Sequence, residues 1–181
     1  MKMTRIFRDL HSNPGKPLIL PNVWDAGGAR IVESVGAKAV ATTSAGVAWS
    51  KGYPDGNKMQ PRLLAHLAGE IVKTVKVPVS IDFEAGYSDK PAVVVENLKP
   101  IVAAGISGIN IEDGTDEPAL LAKKIEAIKK MLSSEGSTFS SMHEPTSICR
   151  ISWLTTRRCG KLWIERRRIK RLALMVYSYP V

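Results

Sequence analysis

The sequence predicts an α/β fold: a parallel (β/α) barrel of the TIM type, truncated to about four βα units and followed by an irregular basic tail. Three observations predict it. Short apolar runs alternate four times with stretches of helical periodicity, and helical connections between strands require a parallel sheet. No Gly-x-Gly-x-x-Gly follows the first strand, which argues against a doubly wound open sheet. Acids stand instead at the carboxyl ends of more than one strand, where a barrel gathers its active site.

In chain order, Thr4 to Ser12 is an amphipathic lead-in with Ile6, Phe7 and Leu10 at helical spacing, broken by the Pro- and Gly-rich residues 13–17. Leu18 to Val23 reads as the first strand. Asp25 caps the helix that follows through Val35, and Gly36 closes it. Ala37 to Thr43, small and apolar, suits a buried parallel strand. Ser44 to Met59 reads as a long polar loop turning at Gly52–Asn57, and loops of that length are more often functional than idle. Helix Leu63–Lys76 precedes strand Val77–Phe83. Lys90-Pro91 opens a helix that ends at Gly105, Gly108–Ile111 is the fourth strand, and Pro118–Lys130 is a helix.

The chemistry concentrates in Ile81-Asp82-Phe83-Glu84-Ala85-Gly86-Tyr87. On extended backbone, side chains two apart point the same way, so Asp82 and Glu84 are expected to project together from a strand end. About thirty residues on, the length of one βα unit, Glu112 ends the next strand. Three carboxylates on one rim repel one another unless a cation sits among them, and hard oxygen donors suit Mg²⁺ or Mn²⁺. Asp113 and Asp116 read as turn and cap residues, and Trp49 and Tyr53 as loop packing. His11, His66 and His143 show no ligand spacing.

A formal charge of +9 invites a nucleic-acid or membrane partner, but the charge is uneven. Residues 1–130 hold 17 Lys and Arg against 14 Asp and Glu; residues 131–181 hold 9 against 3. Both cysteines, Cys149 and Cys159, lie in the second segment. Two thiols without a secretory pattern, and no run of eighteen apolar residues, predict a cytoplasmic protein with no membrane partner.

Pro21-Asn22-Val23-Trp24-Asp25-Ala26, then Ala41-Thr42-Thr43-Ser44-Ala45-Gly46-Val47-Ala48, then Gly52-Tyr53-Pro54-Asp55-Gly56 resemble the isocitrate lyase / phosphoenolpyruvate mutase superfamily, most of all its phosphonomutase-like branch. Asp82 to Tyr87 and Ile109 to Asp113 match that family's metal-site strands in order and spacing. The resemblance covers roughly residues 5–130. It implies Mg²⁺-dependent lyase or mutase chemistry on a small 2-oxo acid, enolpyruvate or dicarboxylate substrate, through an enolate, and a homo-oligomer in full-length members. It makes Asp82, Glu84 and Glu112 the metal ligands, partly through water, and gives Ser44, Ala45 and Gly46 to a substrate carboxylate or oxyanion. It sets Asp55 on the gating loop as a catalytic residue. The Lys- and Gly-rich segment with a catalytic cysteine, found in lyases that cleave isocitrate-type substrates, does not follow Glu112.

After Lys130 the family pattern stops, so residues 1–130 are expected to be the N-terminal half of the barrel and residues 131–181 a poorly ordered tail. Back-translated in a displaced frame, Ser137 to Ile148 can read Asn-Phe-Phe-Ile-Asn-Ala-Arg-Thr-Asp-Ile-Tyr, and Arg171 to Val181 can read Ala-Gly-Ala-Asp-Gly-Ile-Phe-Ile-Pro-Gly. Both phrases resemble the family's next strands. We therefore read the tail as the product of a single-base shift near Lys130, and the 181-residue chain as an inactive fragment. Two other readings stand beside this one: a catalytically silent half barrel that binds or assembles, and a nucleic-acid-associated protein using Arg166 to Arg171. A charge run of the latter kind is more often a solvated face, so no nucleic-acid partner is expected.

Overall fold

The computed structural model describes residues 2–12, 17–134 and 151–152. Its elements are α1 (Lys2–His11), β1 (Asn22–Val23), α2 (Ala26–Ser34), β2 (Val40–Thr42), α3 (Ser44–Ser50), α4 (Pro61–Thr74), β3 (Val79–Asp82), α5 (Pro91–Ala103), β4 (Gly108–Asn110), α6 (Pro118–Ser134) and β5 (Ile151–Ser152). The strands form one sheet in the order β1-β2-β3-β4-β5, with every neighbouring pair parallel. Right-handed crossovers taken in unbroken order leave their helices on one face of the sheet. Accordingly α2 packs on α4, α4 on α5 and α5 on α6. A doubly wound sheet reverses its order and covers both faces, so this arrangement is a sector of a barrel wall.

The core lies between that helix layer and the strands. Leu64, Leu67 and Ile71 of α4, Val94, Leu98 and Ile101 of α5, and Leu121, Ile125 and Ile128 of α6 supply the buried helical stripes. They meet Ile81, Phe83, Ile109 and Ile111. Phe7 of α1 is buried too, with its ring so close to Gly108 that a Cβ there would lie 2.5 Å from it. As the sequence predicts, the Asp25 carboxylate caps α2 by accepting the Gly28 N–H at 2.6 Å. Gly36, at φ +100°, makes the reversal that follows.

Several boundaries differ from expectation. The first strand pairs only at Asn22–Val23, because Pro21 has no N–H to donate, although its carbonyl still accepts the Ala41 N–H at 3.0 Å. The segment after β2 is not loop throughout: Ser44–Ser50 is helix α3, which buries Val47 and Ala48. Its small residues hide the amphipathic period that a longer helix would show. Tyr53 packs against the core as expected, whereas Trp49 is 69% exposed and fills no gap. The last helix continues to Ser134, four residues beyond the sequence boundary. Apart from residues 131–134 in α6 and from β5, the basic tail, with Cys149, Cys159 and His143, lies outside the described residues. Among the described residues no helix is long and apolar enough to cross a membrane.

Candidate active site

The carboxyl ends of β2, β3 and β4 open on one rim. Parallel register sets Asp82 level with Asn110 across β3 and β4. Beyond the paired segment the Glu112 N–H donates to the Glu84 carbonyl at 2.9 Å, so the two acids' backbones stay adjacent. The Asp82 carboxylate is doubly held: Oδ2 accepts the Ser44 N–H at 3.1 Å and Oδ1 the Glu84 N–H at 3.2 Å. The Asp82 N–H in turn donates to Thr42 Oγ1 at 2.8 Å. Asp82 and Glu84 thus meet Thr42 and Ser44 across two segments of chain.

Glu84 departs from the extended geometry expected of it. The strand ends at Asp82, and Glu84 sits at φ 49°, a left-handed conformation costly for a residue with a Cβ. Asp82 and Glu84 therefore do not project as strand neighbours. The buried Glu84 carboxylate turns to the Asn57 N–H at Oε2 and to the Tyr87 hydroxyl, 2.6 Å from Oε1. Asn57, itself at φ 61°, reaches the same loop again: its Oδ1 accepts the Ala85 N–H at 3.2 Å and the Tyr87 N–H at 3.0 Å. Asn57 follows Asp55 by two residues, so this clasp fixes the Asp55 loop over the rim.

Electrostatics mark the same cluster. Burial, then the charges of Glu84 and Asp55, push the Asp82 carboxyl above its usual range. Burial, then Asp82, Asp113, Glu84 and Asp55, push Glu112 up as well. Burial and the bond to Glu84 raise the Tyr87 phenol far above its ordinary value. Five carboxylates, Asp55, Asp82, Glu84, Glu112 and Asp113, therefore act electrostatically in this cluster. Among the described residues, however, no three acidic, histidine or cysteine side chains close round a common point. The donors are all oxygen, which fits an ion such as Mg²⁺ that keeps several waters and takes one or two carboxylates directly.

Of the residues singled out for a substrate, Ser44 spends its N–H on Asp82, while the Ala45 and Gly46 N–H groups lie in the first turn of α3, without intrahelical partners. Gly46 also has a packing reason: a Cβ would stand 2.7 Å from Thr43 Cγ2 and 3.3 Å from the Trp24 ring. Asp116, read from sequence as a turn or cap residue, lies in the turn after β4, and its carboxylate also pairs with Lys124, whose Nζ lies 2.9 Å from Asp116 Oδ2 and 2.9 Å from the Ala85 carbonyl. Lys124, Asn57, Tyr87 and Thr42 are the site residues that sequence reasoning missed. For Lys124 a signal existed: it occupies the buried stripe Leu121, Lys124, Ile125, Ile128, where an unpaired ammonium would not be tolerated. An apolar cavity of about 520 Å³, lined by Leu10, Ile19, Val32 and Val35 among others, belongs to segments that precede β1 and β2, away from these acids.

Comparison with known proteins agrees with this architecture. The profile of the phosphoenolpyruvate phosphomutase family matches residues 7–140. The chain is 41% identical over 128 residues to an uncharacterised Mycobacterium tuberculosis protein, Rv1998c, covering 68% of this chain and 48% of that one. It is 26% identical to the 2-methylisocitrate lyase of Aeropyrum pernix, over 66% of this chain and 41% of that one. The chain thus spans about half the length of the curated relatives it matches. A phosphonomutase-type structure from Burkholderia cenocepacia superposes with a TM-score of 0.78 at 31% identity, over 94% of this chain and 70% of that one. A 2,3-dimethylmalate lyase structure, at 22% identity and a TM-score of 0.75 over 94% and 59% of the two chains, shares the fold. Strand order, one-sided helix layer and matched sequence converge: this chain belongs to the phosphoenolpyruvate phosphomutase family.

Proposed function

We propose that this chain is by descent a Mg²⁺- or Mn²⁺-dependent lyase or phosphonomutase acting on 2-oxo acid or enolpyruvate-type carboxylates, with its site on the rim beyond β2, β3 and β4. The observation that supports it best is the hydrogen-bond network that draws Ser44, Asn57, Asp82, Glu84 and Glu112 together from four segments. Asp82, Glu84 and Glu112 would hold the ion, partly through water, because both oxygens of Asp82 and of Glu84 already accept protein hydrogen bonds. When bound, the ion supplies Lewis-acid stabilisation of charge on an enolate oxygen. The chain's own groups orient the substrate: the Ala45 and Gly46 N–H groups, beside Ser44, receive a carboxylate oxygen. Asp55, carried on the clasped loop, is the catalytic carboxylate and helps keep water out.

The bond made or broken lies alpha to the carbonyl and is carbon–carbon or carbon–phosphorus. Residues 1–130 are the catalytic half, and residues 131–181 carry the displaced frame. The Ala-Arg-Thr-Asp phrase of that frame would supply a bidentate clamp for substrate carboxylate, and His143-Glu144 stands in its place. Losing such a contact costs about 2–5 kcal/mol, so the 181-residue protein should turn substrate over slowly or not at all. A cytoplasmic, homo-oligomeric parent without nucleic-acid or membrane partners completes the reading. A second reading, a half barrel that pairs with another copy, is favoured by the apolar groove beside β1, where Ile19 is 81% and Val35 80% exposed.

Calorimetric titration with Mn²⁺ tests the metal site. Binding heat should appear in the 181-residue protein and vanish in Asp82→Ala; heat that persists unchanged in the variant removes Asp82 from the site. Shifting the frame by one base near the Lys130 codon should then yield Mg²⁺-dependent turnover of a phosphonopyruvate, oxaloacetate or methylisocitrate type of substrate. A restored frame that meets stop codons at once would overturn the account of the tail.

A further inference from the structure

The loop Phe83–Tyr87 holds two non-glycine residues at positive φ, Glu84 at 49° and Tyr87 at 60°. Left-handed residues persist only where their surroundings over-determine them. Asn57 accounts for one side of the loop by accepting the Ala85 and Tyr87 N–H groups. The Ala85 carbonyl, on the other side, receives the Lys124 ammonium at 2.9 Å. The Ala85 residue is therefore held at both its peptide groups, by two different segments of the chain.

Lys124 is a costly way to satisfy one carbonyl. Its side chain is 1% exposed and sits in the core-facing stripe of α6, where the same spacing elsewhere carries Leu121, Ile125 and Ile128. Its counter-charge, Asp116, is 26% exposed and belongs to the turn after β4, the segment that carries Glu112. One ammonium thus joins the loop of Glu84, the loop of Glu112 and the helix behind both. A packing role alone would be served by leucine, and replacing a buried ion pair by apolar side chains often leaves stability unchanged.

We propose that Lys124 is a positioning residue for the acidic rim: by tying the Ala85 carbonyl to Asp116 it fixes the left-handed Glu84 loop against the Glu112 loop, and so sets the distance between the carboxylates that receive the cation. The part concerning the cation rests on the function proposed above; the part concerning the loop does not. Lys124 touches neither substrate nor ion and acts through Ala85 and Asp116.

The test uses the 181-residue protein with Lys124→Met, and with Lys124→Met/Asp116→Asn should the single variant leave Asp116 too poorly solvated to fold. Amide hydrogen exchange is read well below each protein's unfolding midpoint. The Ala85 and Tyr87 amides should exchange at least about tenfold faster in the variant, while those of Ile81 and Ile109 in the strands stay within about twofold. Mn²⁺ affinity should fall about 10- to 100-fold, the range seen when groups supporting metal ligands are removed. Unchanged exchange at Ala85 and Tyr87 overturns the proposal. So does acceleration spread evenly over β3 and β4, which would make Lys124 a stability residue only. If the unsubstituted protein binds no Mn²⁺, the metal reading fails while the exchange arm still decides what Lys124 does.

Discussion

Replacing Asn57 separates the backbone from the side-chain part of the clasp over the rim. In Asn57→Ala the Ala85 and Tyr87 N–H groups lose their shared acceptor. Each lost hydrogen bond is worth about 0.5–1.5 kcal/mol net, and the low end applies because Asn57 is exposed and water can replace its Oδ1. Alanine at φ 61° adds a left-handed cost of about 1 kcal/mol that asparagine partly escapes. The expected loss is about 2 kcal/mol, which moves the midpoint of a domain of this size by about 4–8 °C. Asn57→Gly meets no left-handed cost but loses the same two hydrogen bonds, so its loss should be about 1 kcal/mol smaller. Urea titration of the three proteins, with equal m-values as the control, measures both numbers. Equal stability of Asn57→Ala and Asn57→Gly would refute the conformational part; equal stability of Asn57→Gly and the unsubstituted protein would refute the side-chain part.

Other perturbations follow from the same geometry. Glu112 has its carboxyl pushed up on folding, by burial and then by neighbouring acids, so it favours the fold below its unfolded value of 4.5 and opposes it as pH rises through the folded value. In metal-free buffer Glu112→Gln should therefore melt higher than the unsubstituted protein at pH 7, with the gap closing below pH 4.5 and the Mg²⁺-induced rise reduced. Glu33 behaves oppositely: the Lys76 N–H, then Arg30, hold its carboxyl below 4.5, so its contribution is present above that value and fades as pH falls through the folded value. Glu33→Gln should be destabilised at pH 7, and melts at pH 7, 5 and 3 should show the difference shrinking. Gly86→Ala must adopt φ +87° and places a Cβ 2.7 Å from Val94 Cγ1. Strain and overpacking together should cost about 2–5 kcal/mol, part of it recovered in Gly86→Ala/Val94→Ala; no recovery would show that the contact is not the cause.

The order of elements was legible because it depends on patterns that tertiary context rarely overrides: apolar runs flanked by Gly and Pro, and stripes such as Leu64, Leu67 and Ile71. So was the placing of Asp82 and Glu112 at the ends of neighbouring strands, since parallel register sets Asp82 level with Asn110. What could not be read was where extended backbone stops. Nothing in Asp82-Phe83-Glu84 announces that the strand ends at its first residue, because the left-handed turn at Glu84 is imposed by Asn57 and Lys124, 27 and 40 residues away in sequence. Helix α3 was hidden for a local reason: Ser44-Ala45-Gly46 has too few large side chains to display a period, and only burial of Val47 and Ala48 fixes it.

The unbroken strand order also bears on how such a chain comes into being. Each strand pairs with the strand before it in sequence, and α4 packs on α2, α5 on α4 and α6 on α5, so each of these units finds its docking surface already built. Pairing between successive strands keeps each loop closure shorter than pairing between distant strands would. On a ribosome, where domains emerge amino end first, the sheet can therefore grow one βα unit at a time. Its leading edge, at each moment, is the strand just completed.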